Sequence, residues 1–225
     1  DAVAVYDDMV GRFGASDVAA LQEQVARALL NKGMMLSRLE RSEDAVAVYD
    51  DMVSRFSASD VAALQEQVAK ALVNKGITLG RLERSEDAVA VYDDVLARFG
   101  SSDVAALQEP VAIALVFKGM TLGGLERLNE EIAVYDDVLA RFGASDVAAL
   151  QEQVAKALLN KGVRLGRLEL PEKEIAVYGD MVARFGASDV AALQEPLAKA
   201  LWNKGITLGR LERSEDAVAV YDDMV

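Results

Sequence analysis

The sequence predicts an all-α solenoid built from helix-turn-helix repeats. Three observations carry that expectation. First, one block returns every 43 residues: Asp1–Tyr6 (DAVAVY) recurs at Asp44–Tyr49, Asp87–Tyr92 and Asp216–Tyr221, with variants at Glu130–Tyr135 and Lys173–Tyr178. Second, apolar residues inside each block recur three or four apart, the spacing of a helix face, and strand-like alternation is missing. Third, the chain is 52% hydrophobic but only 6% aromatic, so its apolar mass is mostly Ala, Val and Leu, which suits closely packed helices. A helix pair of this size cannot bury its stripe alone and must stack on its neighbours. The expected organisation is a single repeat domain, residues 1–225, with units at 1–43, 44–86, 87–129, 130–172 and 173–215 and a partial sixth at 216–225. The last ten residues repeat the first ten, which suggests a fragment of a longer array, or a built one.

One unit, entered at Ser59, shows the elements in order. Ser59 is placed to cap a helix, and Asp60 suits the positive helix start. Val61, Leu64, Val68, Leu72, Leu79 and Leu82 then form a helical stripe, the long helix A. Ser85 is placed to cap the shorter helix B, whose stripe is Ala88, Val91, Tyr92, Val95, Leu96 and Phe99. Gly100 follows, where a helix tends to end on a left-handed residue. Pro110 and Pro196 fall eight residues after Ser102 and Ser188, inside helix A. Each removes an N–H, so a kink is expected there, or a restart with proline in the first turn.

Leu72-Val-Asn-Lys75-Gly76-Ile-Thr-Leu79, followed by Ala88-Val-Ala-Val-Tyr92, resembles the tetratricopeptide repeat. That family places a large apolar residue, a glycine and an aromatic down helix A, then a small residue and an aromatic on helix B. Gly76 and Ala88 stand twelve apart, as the family's glycine and alanine do. The resemblance covers the whole chain and implies a right-handed superhelix with helix A lining the concave face. It departs from the family in length (43 residues instead of 34), in a helix A extended at its start, in Lys75 where leucine is usual, and in the missing closing proline.

Composition removes several function classes. There is no cysteine and no histidine, so thiol chemistry, a Ser-His-Asp triad and a histidine zinc site are impossible within the chain. The net charge of −13 argues against nucleic acid and anionic membranes as partners. No unbroken run of about 18 apolar residues and no signal peptide are readable, giving a cytoplasmic expectation with no membrane partner. The triplet Asn-Lys-Gly, at Asn31, Asn74, Asn160 and Asn203, lacks the context of a nucleotide motif; its glycine suits a packing notch in mid-helix. The paired aspartates, such as Asp93-Asp94, point about 100° apart on a helix and do not converge on one metal ion. One of each pair is expected to meet the lysine of helix A, Lys75 and its copies. No enzyme activity and no cofactor are expected.

The candidate binding face lies on helix A. The resemblance implies that Asn31, Asn74, Asn160 and Asn203 form a ladder reading the backbone of an extended peptide, since a carboxamide both donates and accepts. The other reading is that they stabilise turns or neighbouring helices. Lys70, Lys156 and Lys199, with Arg38, Arg81, Arg167 and Arg210, give the A stripe a basic character that favours an acidic peptide; from Val68 to Leu82 no acid appears. The third copy breaks the pattern. Ile113 replaces Lys or Arg, Phe117 replaces Asn, and Gly124 replaces Arg; with Met120 the intervals are four, three and four, one helical face. An exposed apolar cluster marks a contact. Trp202, replacing Val or Leu, is either core filler or a second anchor. The expected function is a protein–protein interaction scaffold binding a peptide along helix A. Its rival is a self-assembly module, a homo-oligomer joined through that patch or through solenoid ends where Val3, Tyr6, Met9, Val10 and Phe13 are partly exposed.

Overall fold

A computed structural model describes residues 2–222, and among them every regular element is an α-helix. Two compact units divide the chain, Asp1–Thr121 and Leu122–Val225. The first holds α1 (Ala2–Phe13), α2 (Ala19–Arg38), α3 (Ser42–Phe56), α4 (Ala62–Arg81), α5 (Ser85–Phe99) and most of α6 (Ala105–Gly124). The second holds the last turn of α6, then α7 (Leu128–Phe142), α8 (Ala148–Arg167), α9 (Pro171–Phe185), α10 (Ala191–Arg210) and α11 (Ser214–Asp222). Even-numbered helices are the 20-residue A helices; α3, α5, α7 and α9 are 15-residue B helices. In the first unit α1 packs on α2, α2 on α3, α3 on α4 and α4 on α5; in the second α7 packs on α8, α8 on α9, α9 on α10 and α10 on α11; A helices also pack on A helices, α2 on α4 and α8 on α10.

The start of helix A differs from expectation. Ser59 Oγ accepts from the Val61 amide, closing a turn ahead of the helix, and Val61 is the N-cap with no side-chain cap. Gln65 Nε2 donates back to the Ser59 carbonyl, pinning the entry from the other side. Ser85 does not cap helix B either: it is the first helical residue, after Arg84.

Left-handed backbone sits at the A-to-B turn instead of after helix B. Gly100 is right-handed, with φ −64°. Glu40, Glu83, Glu126, Glu169 and Glu212 take φ of 56–61°. Behind each, the chain doubles back: Arg84 N–H donates to Leu79 and Glu83 N–H to Gly80, the two bonds of a Schellman close. Those bonds satisfy helix-end carbonyls and outweigh the steric cost of a left-handed glutamate, about 1–2 kcal/mol. Helix A also runs without interruption through Pro110 and Pro196, so no restart occurs.

The glycine of the triplet is a notch, but its occupant is the helix B tyrosine. A Cβ at Gly33, Gly76 or Gly162 would collide with the ring of Tyr49, Tyr92 or Tyr178. Those rings are almost wholly buried, and burial pushes the Tyr49 and Tyr178 hydroxyls up to about 12.

In the pairs at 7–8, 50–51, 93–94 and 136–137 both aspartates are engaged. The first meets the A-helix lysine: Lys75 Nζ lies 2.5 Å from Asp50, Lys118 2.5 Å from Asp93 and Lys161 2.5 Å from Asp136, and Lys32 pairs with Asp7. The second pairs with the arginine one turn on, as Asp94 does with Arg98. This explains the lysine that stands where the family has leucine. In α9, Gly179 replaces the first aspartate, directly opposite Lys204.

Among the described residues one helix, α6, is long and apolar enough by length and composition to cross a membrane, with a mean hydropathy of 1.3. Glu109 and Lys118 interrupt its apolar run. Half of that stretch is buried inside the protein.

Candidate functional site

All fourteen residues proposed for binding stand on A helices. Asn31 and Arg38 are on α2; Lys70, Asn74 and Arg81 on α4; Ile113, Phe117 and Met120 on α6; Lys156, Asn160 and Arg167 on α8; Lys199, Asn203 and Arg210 on α10. Their spacing of four, seven and eleven from the first member keeps each set on one helix face. Arg38, Arg81, Arg167 and Arg210 are exposed, and the asparagines range from half-buried to exposed.

In unit 1 the structure brings part of this set together. Ile113, Phe117 and Pro110 of α6 face Lys70, Val73, Asn74 and Ile77 of α4 across a recess of about 280 Å³. Its walls are apolar and its rim carries Lys70, Asn74 and Glu109. Met120 is 50% exposed one turn beyond Phe117. Ile113 and Phe117 are themselves half-buried, since α4 supplies the opposite wall. Val73 and Ile77 were not anticipated; Ile77, three residues after Asn74, shares its face, whereas Val73 lies about 100° round the helix on the buried side.

Unit 2 repeats the geometry with different chemistry. A recess of about 500 Å³ lies between α8 and α10, lined by Leu159, Asn160, Val163, Ala198, Lys199, Trp202 and Asn203. Where α6 offers Ile113 and Phe117, α10 offers Lys199 and Asn203, 86 residues on. Trp202 is 56% exposed and its ring lies 6.0 Å from that of Tyr221, so it is not core filler.

Two expectations about polarity change. The A-helix lysines are not free cations: Lys70 pairs with Glu66, Lys156 with Glu152 and Lys199 with Glu195, each glutamate one turn earlier. The acid-free window began too late to include them, and the face is less basic than its lysine count suggested. Two of the asparagine amides are also engaged within the protein. Asn74 Nδ2 donates to the Lys70 carbonyl and Asn203 Nδ2 to the Tyr178 hydroxyl. Of the end-face residues only Val3 is buried; Tyr6, Met9 and Val10 are half-buried and Phe13 is 40% exposed.

Two acids in the protein interior escaped the sequence reading. Glu131 and Glu174 occupy the position of Ala45 and Ala88, and both are buried. Burial raises the pKa of each carboxyl; Arg164 opposes this for Glu131, and Thr207 and Arg210 for Glu174. Among the described residues no group of three or more His, Cys, Asp or Glu is arranged to hold a metal ion.

No protein-family model matches the chain, and no curated protein is similar to it in sequence. Solved structures are similar in fold. BtubC (BKLC) from P. vanneervenii superposes with a TM-score of 0.78 at 15% identity, covering 99% of this chain and 87% of that one. MamA from Desulfovibrio magneticus RS-1 gives 0.57 at 19%, covering 90% and 93%. YrrB, a tetratricopeptide repeat protein with an unusual peptide-binding site, gives 0.54 at 15%, covering 97% and 90%. The chain therefore has the all-α helical-repeat fold of tetratricopeptide proteins.

Proposed function

We propose that the protein is an interaction scaffold, without catalysis, whose A-helix face holds a polypeptide segment. The observation that carries this reading is the unit 1 recess: an apolar socket between α4 and α6, built where the third repeat abandons the sequence of the others. An exposed aromatic-lined socket rimmed by an amide and opposite charges suits an apolar anchor side chain flanked by polar backbone. YrrB supports the reading to the extent that a protein of this fold has a peptide-binding site.

In this reading Phe117 and Ile113 receive the anchor and Met120 extends the apolar contact. Asn74 contributes its carbonyl oxygen, its amide being spent on its own helix. Asn31, Asn160 and Asn203 are the corresponding rungs. Exposed arginines, Arg38 and Arg81 in unit 1 and Arg167 in unit 2, carry the preference for acidic flanks, because the lysines are pinned by glutamates and Arg210 is drawn to Glu174 and Thr207.

The test is the double substitution Phe117→Asn with Ile113→Lys, which rewrites the socket in the chemistry of the other repeats. Peptides selected on the wild-type chain from a random display library are measured by calorimetry. Affinity is expected to fall at least about tenfold, the loss of one buried anchor. Unchanged affinity removes the socket from the site. Sedimentation of the same pair tests the other occupant: association that is concentration-dependent and abolished by the substitution assigns the socket to a second copy of this chain.

A further inference from the structure

Unit 2 contains the same buried layer twice, 43 residues apart, and one copy lacks a part. In the first, Glu131 of α7 faces Arg164 of α8, with Nε to Oε2 at 2.5 Å. Both side chains are nearly inaccessible, 5% and 12% exposed. They fill the space left by Gly123, where a Cβ would come within 2.5 Å of Arg164 Nη2 and 2.7 Å of Glu131 Oε1. In the second, Gly166, Glu174 and Thr207 stand at the positions of Gly123, Glu131 and Arg164. Glu174 lies against Gly166 as Glu131 lies against Gly123, and its side chain is 6% exposed. The guanidinium is missing, because its place on α10 is a threonine.

A recess of about 220 Å³ marks that place, lined by Gly166, Glu169, Pro171, Glu174, Thr207, Arg210 and Leu211. Two of those residues are carboxylates. Arg210 stands at the mouth. It donates to Thr207 Oγ1 at 2.8 Å and reaches Glu174 Oε2 with one nitrogen at 3.4 Å, while its side chain stays 60% exposed. Glu174 thus has the Thr207 hydroxyl and one long guanidinium contact, where Glu131 has a guanidinium nitrogen in direct ionic contact at 2.5 Å.

We propose that the recess between the ends of α8 and α10 binds a guanidinium group, the arginine side chain of a partner polypeptide, seated on Glu174 where Arg164 sits on Glu131. A planar guanidinium donates to a carboxylate through two nitrogens and is weakly hydrated, so it suits this site better than an ammonium. The incoming group displaces Arg210, which swings into solvent. The site is independent of the α4–α6 socket, and a ligand for it needs no apolar anchor.

The full chain, labelled with ¹⁵N, is titrated with N-acetyl-L-arginine amide and, separately, N-acetyl-L-lysine amide. Saturable shifts are expected at the amides of Gly166, Thr207 and Leu211 with the arginine probe, and at least about tenfold weaker binding of the lysine probe. Arg210→Ala is expected to tighten arginine binding several-fold by removing the internal competitor. Thr207→Arg, which supplies the guanidinium in cis, and Glu174→Gln are each expected to abolish saturation. If Thr207→Arg loses its helical circular-dichroism signal, Glu174→Gln decides. No saturable shift in either the wild type or Arg210→Ala overturns the proposal, as does undiminished binding to Glu174→Gln. None of these outcomes touches the α4–α6 socket, which the probe does not occupy.

Discussion

The α7–α8 layer and the α9–α10 layer are built from one sequence pattern and differ in what faces their buried carboxylate. Both bury a glutamate where other repeats have alanine, and both make room for it with a glycine on the preceding A helix. In one, a buried arginine closes the layer; in the other, a threonine leaves the carboxylate facing a recess and an exposed arginine at arm's length. Among the residues that line the recess, two differ from their counterparts 43 residues earlier: Thr207 stands for Arg164 and Pro171 for Leu128. Near-repeats therefore make natural controls, because few neighbours change with the substitution. The Gly80 layer, with Ala88 opposite, is the neutral reference, since a Cβ on Gly80 would meet nothing within 4 Å.

The largest effect is expected from breaking the closed layer. Glu131→Ala leaves Arg164 buried without its partner, which costs about 3–5 kcal/mol. Adding Arg164→Thr rebuilds the ordinary alanine–threonine layer of Ala88 and Thr121 and should recover most of that loss. Urea denaturation midpoints of the two variants test it. If the double variant is no more stable than the single one, the cost belongs to the lost glutamate stem and not to a stranded charge.

Much of this was legible before the structure, for one reason: the 43-residue period. It located the helix pairs, marked Gly76 as a notch and linked Lys75 to an aspartate of helix B. What was missed is what a period cannot carry. Ser59 and Ser85 are good capping residues in isolation, yet tertiary packing starts helix A at Ala62, and the serine closes a turn instead. Gly100 has the composition of a left-handed stop, but Glu83 takes that backbone because the Schellman bonds form there. The socket at Phe117 was half legible: its α6 wall follows from helical spacing, while Val73 and Ile77 come from a different helix. The glutamates were missed because Glu131 and Glu174 follow Glu130 and Lys173 and pass for ordinary surface charge. The available signal was their place on the buried stripe, together with Arg164 interrupting a column of threonines.

A second comparison sharpens the first through the two glycines. Gly123→Ala drives a methyl into Arg164 and Glu131, whose ion pair fixes both, and should cost about 2–3 kcal/mol. Gly166→Ala meets only the Glu174 side chain, 2.8 Å away, which can move into the recess beside it, so its cost should stay near the loss-free end, about 1 kcal/mol or less. Equal penalties in the two variants would show that the second layer is as closed as the first.

The smallest effect, and the most specific, is in pH. Burial raises the folded-state pKa of Glu174 above the ordinary carboxyl value of 4.5. Between 4.5 and that raised value the folded chain holds a proton that the unfolded chain has released. Stability contributed by this group therefore falls as pH rises through the window and returns as pH drops. Glu174→Gln removes the titration, so its stability relative to wild type should increase as pH is raised from about 4.5 toward neutrality. Burial raises the Glu131 carboxyl in the same direction, so Glu131→Gln is expected to follow the same pH trend, offset to lower stability at neutral pH because it removes the carboxylate that faces Arg164. Denaturation midpoints of both variants at several pH values separate the layers: parallel curves with Glu131→Gln the less stable mean that the contact with Arg164 sets the difference, and superposed curves mean that the two carboxylates share one environment.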